Sequence, residues 1–238
     1  MRKVLQNIKA LVGKERLLAV LIDPDKMQLN SLSHFIDKVN VSLVTHVFVG
    51  GSSVEEEITQ ALISALHPLT NLPIVLFPGD ITQISKDADA ILFLSLLSGN
   101  NPRYLIGKHV EAVSKLRKTN LEVIPTGYIL IEGGKETAVQ RVTQTTPMSR
   151  KKHELVVDTA KAGELLGMQL IYLEAGSGAN QPVPLEMISF VKSELSIPLI
   201  VGGGIRSKKQ LEEAYRAGAD LVVIGTAFEE DDAFFEAL

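Results

Sequence analysis

The chain of 238 residues contains no cysteine and no tryptophan. Without cysteine there is no disulfide, no thiolate metal site and no cysteine nucleophile, so redox chemistry does not constrain the compartment. No stretch approaches the run of about 18 uncharged apolar residues that a membrane span needs. Positive charge is not in excess. The formal net charge is −4, which argues against a general nucleic-acid binder, whose domain would be basic. The N-terminal stretch MRKVLQNIKALVGKERLLAVLIDPDK is charged and lacks the apolar run and cleavage site of a signal peptide, so a cytoplasmic protein is expected. The five histidines show no metal-ligand spacing. The composition that remains, 45% hydrophobic and 22% charged, is that of an ordinary globular protein with a sizeable core. The length suits one barrel of roughly 250 residues or two small domains.

Short apolar, β-branched runs recur along the whole chain: Leu17–Ile22, Val44–Val49, Ile74–Phe77, Ala90–Leu96, Leu121–Pro125, Leu170–Leu173, Leu199–Val201 and Leu221–Ile224. Each is nearly continuous in hydrophobicity and not alternating. That pattern marks strands buried on both faces, as in a parallel sheet. Helical stretches are predicted between them. Ser53–Leu66 opens with a serine cap and three glutamates, and Pro102–Lys118 opens with proline and ends in basic residues. His153–Leu166 runs into Gly167, Pro184–Leu195 starts at proline, and Ser207–Ala217 starts at serine and stops at Gly218. Ile81–Asp87 has room for only one or two turns. An extra helix over residues 2–12 is expected to plug the barrel bottom.

Eight βα units with no break in composition predict a single α/β domain over residues 1–238, a TIM (β/α)8 barrel. An open doubly wound sheet would place a glycine-rich fingerprint after the first strand; here Asp23-Pro24-Asp25 follows instead. Residues 132–152 form a polar, mildly basic stretch too long for a routine loop, read as a lid or a partly helical cover, or as an ordered surface loop without catalytic work.

Barrel sites lie at strand C-termini. The last three strands end in small residues: Gly176, Ser177 and Gly178; Gly203 and Gly204; Gly225 and Thr226. Such turns expose backbone N–H groups to an anion, and the loops after strands seven and eight are the usual phosphate site of this fold. Tight βα turns would explain one glycine, but three such turns on adjacent strands favour phosphate. Arg206 reads as a solvated or structural arginine, with phosphate pairing as the alternative. Asp23 ends strand one and Ser52 follows strand two, so the two can share one hard cation; magnesium takes one or two protein oxygens and completes its shell with water and phosphate. Asp25 is expected to cap the next helix. Glu174 ends strand six, where a carboxylate can bind substrate hydroxyls, accept a proton or form a structural ion pair. Tyr172 is either a core tyrosine or a hydroxyl donor.

The segments Leu21–Lys26, Val49–Ser52, Pro125–Leu130, Tyr172–Ala179, Pro198–Arg206 and Ile224–Thr226 together resemble the geranylgeranylglyceryl phosphate synthase family, which includes PcrB-like prenyltransferases. The resemblance covers nearly the whole chain in order, and Tyr-Leu-Glu-Ala-Gly-Ser-Gly is its most specific piece. It implies transfer of a polyprenyl group, with geranylgeranyl diphosphate the expected donor, to sn-glycerol 1-phosphate with release of diphosphate. By position, Asp23 and Ser52 would hold Mg2+. Tyr172, Leu173, Glu174, Ala175, Gly176, Ser177, Gly178, Gly203, Gly204, Gly225 and Thr226 would hold sn-glycerol 1-phosphate, and Glu174 and Asp23 would carry the catalysis. Leu21 stands where PcrB-like members have lysine, which places the chain nearer the archaeal-type synthases, as does the long 132–152 segment. An apolar groove for the prenyl tail is expected from Leu94, Leu96, Leu97, Tyr104, Tyr128 and Ile129. The resemblance also implies transient membrane-surface contact, and barrels of this kind often pair, so a homo-oligomer is expected. Two rivals stay open: an isomerase or lyase acting on a phosphorylated sugar or indole precursor, which needs no metal-bound diphosphate, and a non-catalytic phosphometabolite sensor.

Overall fold

The computed structural model describes residues 3–51 and 55–230. Eight parallel strands close into a barrel in sequence order: β1 (Leu17–Ile22), β2 (His46–Val49), β3 (Ile74–Leu76), β4 (Ala90–Leu96), β5 (Glu122–Leu130), β6 (Leu170–Glu174), β7 (Leu199–Gly202) and β8 (Leu221–Ile224). The helices are α1 (Val4–Leu11), α2 (Leu29–Val41), α3 (Glu56–Leu66), α4 (Lys108–Leu116), α5 (Ala138–Thr143), α6 (His153–Leu165), α7 (Leu185–Glu194), α8 (Lys208–Ala217) and α9 (Thr226–Glu230). The TIM-barrel expectation is met.

The continuous apolar runs have the reason given for them. In β4, Ala90, Leu92 and Leu96 point into the barrel and Ile91 points out to the helical layer, so both faces are buried. The interior is a packed core, with Phe48, Val75, Ile124, Tyr172 and Ile200 contributed from around the ring. Val4 and Ile8 of α1 join that interior cluster, so α1 closes the barrel bottom as expected. Helix ends also follow their sequence signals. Ser207 accepts the Gln210 N–H at the start of α8, and Gly218 ends it at φ 113°.

Several boundaries differ. The sequence reading assigned no helix between β1 and β2, where α2 stands. Strand five was expected to stop at Pro125 but runs through it to Leu130. Pro125 still pairs with Phe93, and its carbonyl accepts the Gln169 N–H (2.8 Å). Helix α3 begins at Glu56 after Glu55; the expected cap Ser53 lies outside the described residues. Helix α4 is shorter than expected because its first turn, Arg103–Gly107, is π-helical. The connection from β3 to β4 holds only a 3-10 turn, Ile81–Gln83. At that unit the helical layer is missing, and this shapes the site.

Candidate active site at the mouth of the barrel

One cavity occupies the C-terminal mouth of the barrel and is lined from β1, β2, β3, β4, β5, β6, β7 and β8. Its floor is aromatic. The rings of Phe77, Tyr128 and Tyr172 pack in a triangle with centroids 5.3–5.9 Å apart. Tyr128 and Tyr172 meet because β5 and β6 pair them directly. Phe77, from the end of β3, was not among the residues the sequence singled out.

Glu174 stands above this floor at the end of β6, 6% exposed. One carboxylate oxygen accepts the Gly176 N–H at 2.6 Å. Burial disfavours the charged form and pushes its pKa from 4.5 up to about 7; the Tyr172 hydroxyl and the Gly176 N–H hold it below what burial alone would give. The Tyr172 hydroxyl is buried, lies beside Glu174 and finds no partner of hydrogen-bonding geometry among the described residues. A buried polar group left in that state points to a ligand or water. Gly203 (φ +83°) is required here: a Cβ would collide with the Glu174 carboxylate and lie 2.6 Å from the Gly176 nitrogen. The absence of a side chain at Gly203 therefore keeps the carboxylate in place.

Gly178, Ser177, Gly203, Gly204, Gly225 and Thr226 all line the same cavity, so the three small-residue turns converge. Arg206 borders them, and its N–H is bound to Gln210. Leu173 and Ala175 do not face the site. Both side chains pack into the layer between barrel and helices, because alternate residues of β6 point outward. Only their backbone could reach a ligand.

Asp23 lies across the mouth at the end of β1, facing the cavity. One oxygen accepts the Asp25 N–H (3.2 Å), and the other lies 3.6 Å from Lys26 Nζ. Asp25 thus belongs to an Asx turn with Asp23 and does not cap α2, which starts after Gln28 with no side-chain cap. Ser52 lies outside the described residues. The turn before it is fixed by Gln83, a fully buried side chain that sequence reasoning missed. Its amide accepts the Gly51 N–H (3.2 Å) and the Gly79 N–H (3.3 Å) and donates to the Gly51 carbonyl (2.7 Å). No sequence signal marks it, since its main partner, Gly51, comes from another loop 32 residues away.

From this polar centre the cavity continues as an apolar channel. Ile91 and Phe93 of β4 face outward, where a helix after β3 would cover them. Only the 3-10 turn stands there, so Ile81, Ile84 and the inner face of α4 (His109, Ala112) wall a channel instead. Asp80 and Lys108 bridge its edge with bonds of 2.8 and 3.0 Å. Leu94, Leu96, Tyr104 and Tyr128 line the cavity as expected of a groove. Leu97 and Ile129 do not: Leu97 packs against Gly127 and Gly163, and Ile129 lies in the outer layer, again by strand alternation.

Residues 132–152 are a partly helical cover. Thr137 and Gln140 form a reciprocal capping box on α5 (3.2 and 2.7 Å). Met148 bonds back to Leu130, and the Tyr104 hydroxyl donates to the Val142 carbonyl. Val139, Val142 and Thr143 supply one wall of the cavity. Lys135 rests its ammonium over Gly178, a cation near the anion cradle that the sequence did not flag.

The fold and site define a (β/α)8-barrel enzyme in which an anion cradle on the last three strands opens into an apolar channel. The chain belongs to the PcrB family, whose model matches residues 11–238. It is 58% identical to a geranylgeranylglyceryl phosphate synthase of Flavobacterium johnsoniae, over 98% of this chain and 96% of that one. A synthase of the same name from Pyrococcus furiosus is 42% identical over 99% and 93%. Among solved structures, (S)-3-O-geranylgeranylglyceryl phosphate synthase from Thermoplasma acidophilum in complex with substrate sn-glycerol-1-phosphate superposes with a TM-score of 0.93. It is 32% identical, and the match covers 100% of this chain and 96% of that one.

Proposed function

We propose that this protein is a prenyltransferase that joins sn-glycerol 1-phosphate to geranylgeranyl diphosphate, giving an ether-linked prenylglyceryl phosphate and free diphosphate. The observation that carries the reading is the continuity of one cavity from the polar cradle to the apolar channel. A phosphorylated polyol needs the first and a hydrocarbon tail needs the second. The isomerase, lyase and sensor readings give the channel no role.

In this reading the turns at Gly178, Gly203, Gly204, Gly225 and Thr226 hold the phosphate by backbone N–H groups. The glycerol hydroxyls then reach Glu174 and the adjacent buried Tyr172 hydroxyl. The C3 hydroxyl oxygen forms a bond to prenyl C1 as the C1–O bond to diphosphate breaks, and the hydroxyl proton passes to the Glu174 carboxylate. A carboxylate with pKa about 7 is suited to that transfer near neutral pH. The aromatic floor and the 132–152 cover hold the two substrates in line and keep water from the reacting carbon.

Asp23 fits a magnesium ion shared with a diphosphate, because this ion needs few protein oxygens and Asp23 presents one carboxylate to the cavity. Ser52 would be its second protein ligand. When bound, magnesium supplies the charge neutralisation that makes diphosphate a better leaving group. Lys26 adds positive charge on the same side. A cytoplasmic setting and a homo-oligomer paired through outer helices belong to the same reading. No helix among the described residues is long and apolar enough to cross a membrane.

The test is transfer of labelled sn-glycerol 1-phosphate into an organic-extractable product with geranylgeranyl diphosphate and magnesium, with and without chelator. Chelator-sensitive label in the organic phase is expected. No transfer by folded protein with any prenyl length would overturn the reading, and transfer indifferent to chelator would overturn the metal assignment.

A further inference from the structure

We infer that the outer face of α4 is the surface on which this protein docks to an anionic lipid bilayer. An outer helix of a barrel normally turns polar residues to solvent. This one does not. Ile106, Val110 and Val113 are 60%, 67% and 37% exposed, and their spacing of four and three residues sets them in one stripe. The opposite face of the same helix is also committed, because His109 and Ala112 wall the apolar channel. The helix therefore carries apolar residues on both sides, one set toward the channel and one stripe toward solvent.

Charge selects the occupant. Residues 102–119 carry five basic residues and one acidic residue, in a chain whose net charge is −4. Lys108 and Lys115 are engaged by Asp80 and Glu56. Arg103 precedes the stripe, and Arg117 and Lys118 follow it, all three exposed. An apolar stripe flanked by cations fits the interface of an anionic bilayer, where the chains take up the apolar face and the head groups meet the cations. Another helix with exposed apolar residues, α6, has the opposite character. Leu155 and Leu165 of α6 stand among Glu154, Asp158 and Glu164, with Lys161 the sole lysine or arginine in that helix. An anionic surface would repel that face. The α4 face alone combines the right charge with adjacency to the channel, so a tail drawn from a bilayer would reach the channel beside the helix that touches the membrane. The choice of a lipid surface rests on the prenyl-transfer reading.

The test is co-sedimentation of the full chain, without substrate, with sucrose-loaded vesicles of phosphatidylcholine alone or mixed with phosphatidylglycerol. Binding to the mixed vesicles only, weakened by salt, is expected. Val110→Asp should cut the partition coefficient about tenfold. Arg117→Glu with Lys118→Glu should cut it at least as much, since each basic residue near the surface is worth about fivefold. Leu165→Asp on α6 should leave it unchanged. Transfer of a short, water-soluble prenyl diphosphate should be unaltered in all three variants. Loss of that activity in the wild type would count against the prenyl-transfer reading and leave the vesicle result standing. Equal binding of wild type and Val110→Asp, or no binding to either vesicle, would overturn the proposal. So would a fall in oligomeric state on Val110→Asp, because the face would then belong to a second copy of the chain.

Discussion

Replacing Glu174 by glutamine should make the protein more stable and less active at the same time. The amide keeps the shape of the side chain but carries no charge into a site that is 6% exposed. In the wild type, burial raises the carboxyl pKa from 4.5 to about 7. The folded state therefore holds a proton that the unfolded chain releases between these values. Stability from this group is complete below pH 4.5 and is lost as pH rises through 7. The shift corresponds to about 3 kcal/mol at pH 8, at 1.36 kcal/mol per unit. Urea unfolding of wild type and Glu174→Gln at pH 4.5 and pH 8 should show a stability difference that moves toward the variant by about 3 kcal/mol over that range. The activity side runs the other way. Wild-type kcat/KM should rise with pH up to about 7 and then level, as the carboxylate forms. The variant should lose that step and be slower by about 10²–10⁴. The phosphate of the substrate also titrates, but it does so equally in both proteins, so the difference between the two profiles isolates Glu174. A difference profile flat between pH 6 and 8, or a variant that gains no stability relative to wild type between pH 4.5 and pH 8, would refute the reasoning.

His46 gives the opposite pH dependence. It is buried at the start of β2, and burial lowers its pKa from 6.5 to about 4. Its neutral form contributes stability above 6.5 that is lost as pH falls toward 4, about 3 kcal/mol in all. In Glu174→Gln this loss should appear uncompensated on acidification, and His46→Gln should abolish it in urea titrations. Gln83→Leu leaves two N–H groups and a carbonyl of the Gly51 and Gly79 turns without their partner. It should cost about 2–4 kcal/mol and lower Tm by about 5–10 °C; a change under about 1 °C in calorimetry would show that water replaces the amide without penalty. Gly202→Ala places a methyl group against the Tyr172 hydroxyl, 2.9 Å from the other Glu174 oxygen. Turnover should fall at least about tenfold with circular dichroism unchanged; full activity would mean that the carboxylate position is not critical.

How much of this was legible in the chain differs by kind of residue. The eight strands were readable because each is apolar on both faces, a one-dimensional signature of burial in a parallel barrel. The caps at Ser207 and Gly218 were readable because they act within one turn of chain. The fifth strand was cut short because proline reads as a stop, although only a missing N–H distinguishes it in a ladder. The cradle glycines were legible as three small-residue turns, but not the reason Gly203 must be glycine, which is a carboxylate from another strand.

The sequence by itself determined the barrel, the ring of strand ends and the candidate polar residues upon it, because hydrophobic periodicity and local turn chemistry are written along the chain. Tertiary structure alone decided which of those residues share a cavity. It turned Leu97, Ile129, Leu173 and Ala175 away from the mouth and brought in Phe77, Gln83 and Lys135. It opened a channel where the connection after β3 is reduced to a single 3-10 turn, and it raised the pKa of Glu174 by burying it. Each of these depends on distances between segments far apart in the chain, and strand order and side-chain direction fix those distances only once the barrel has closed.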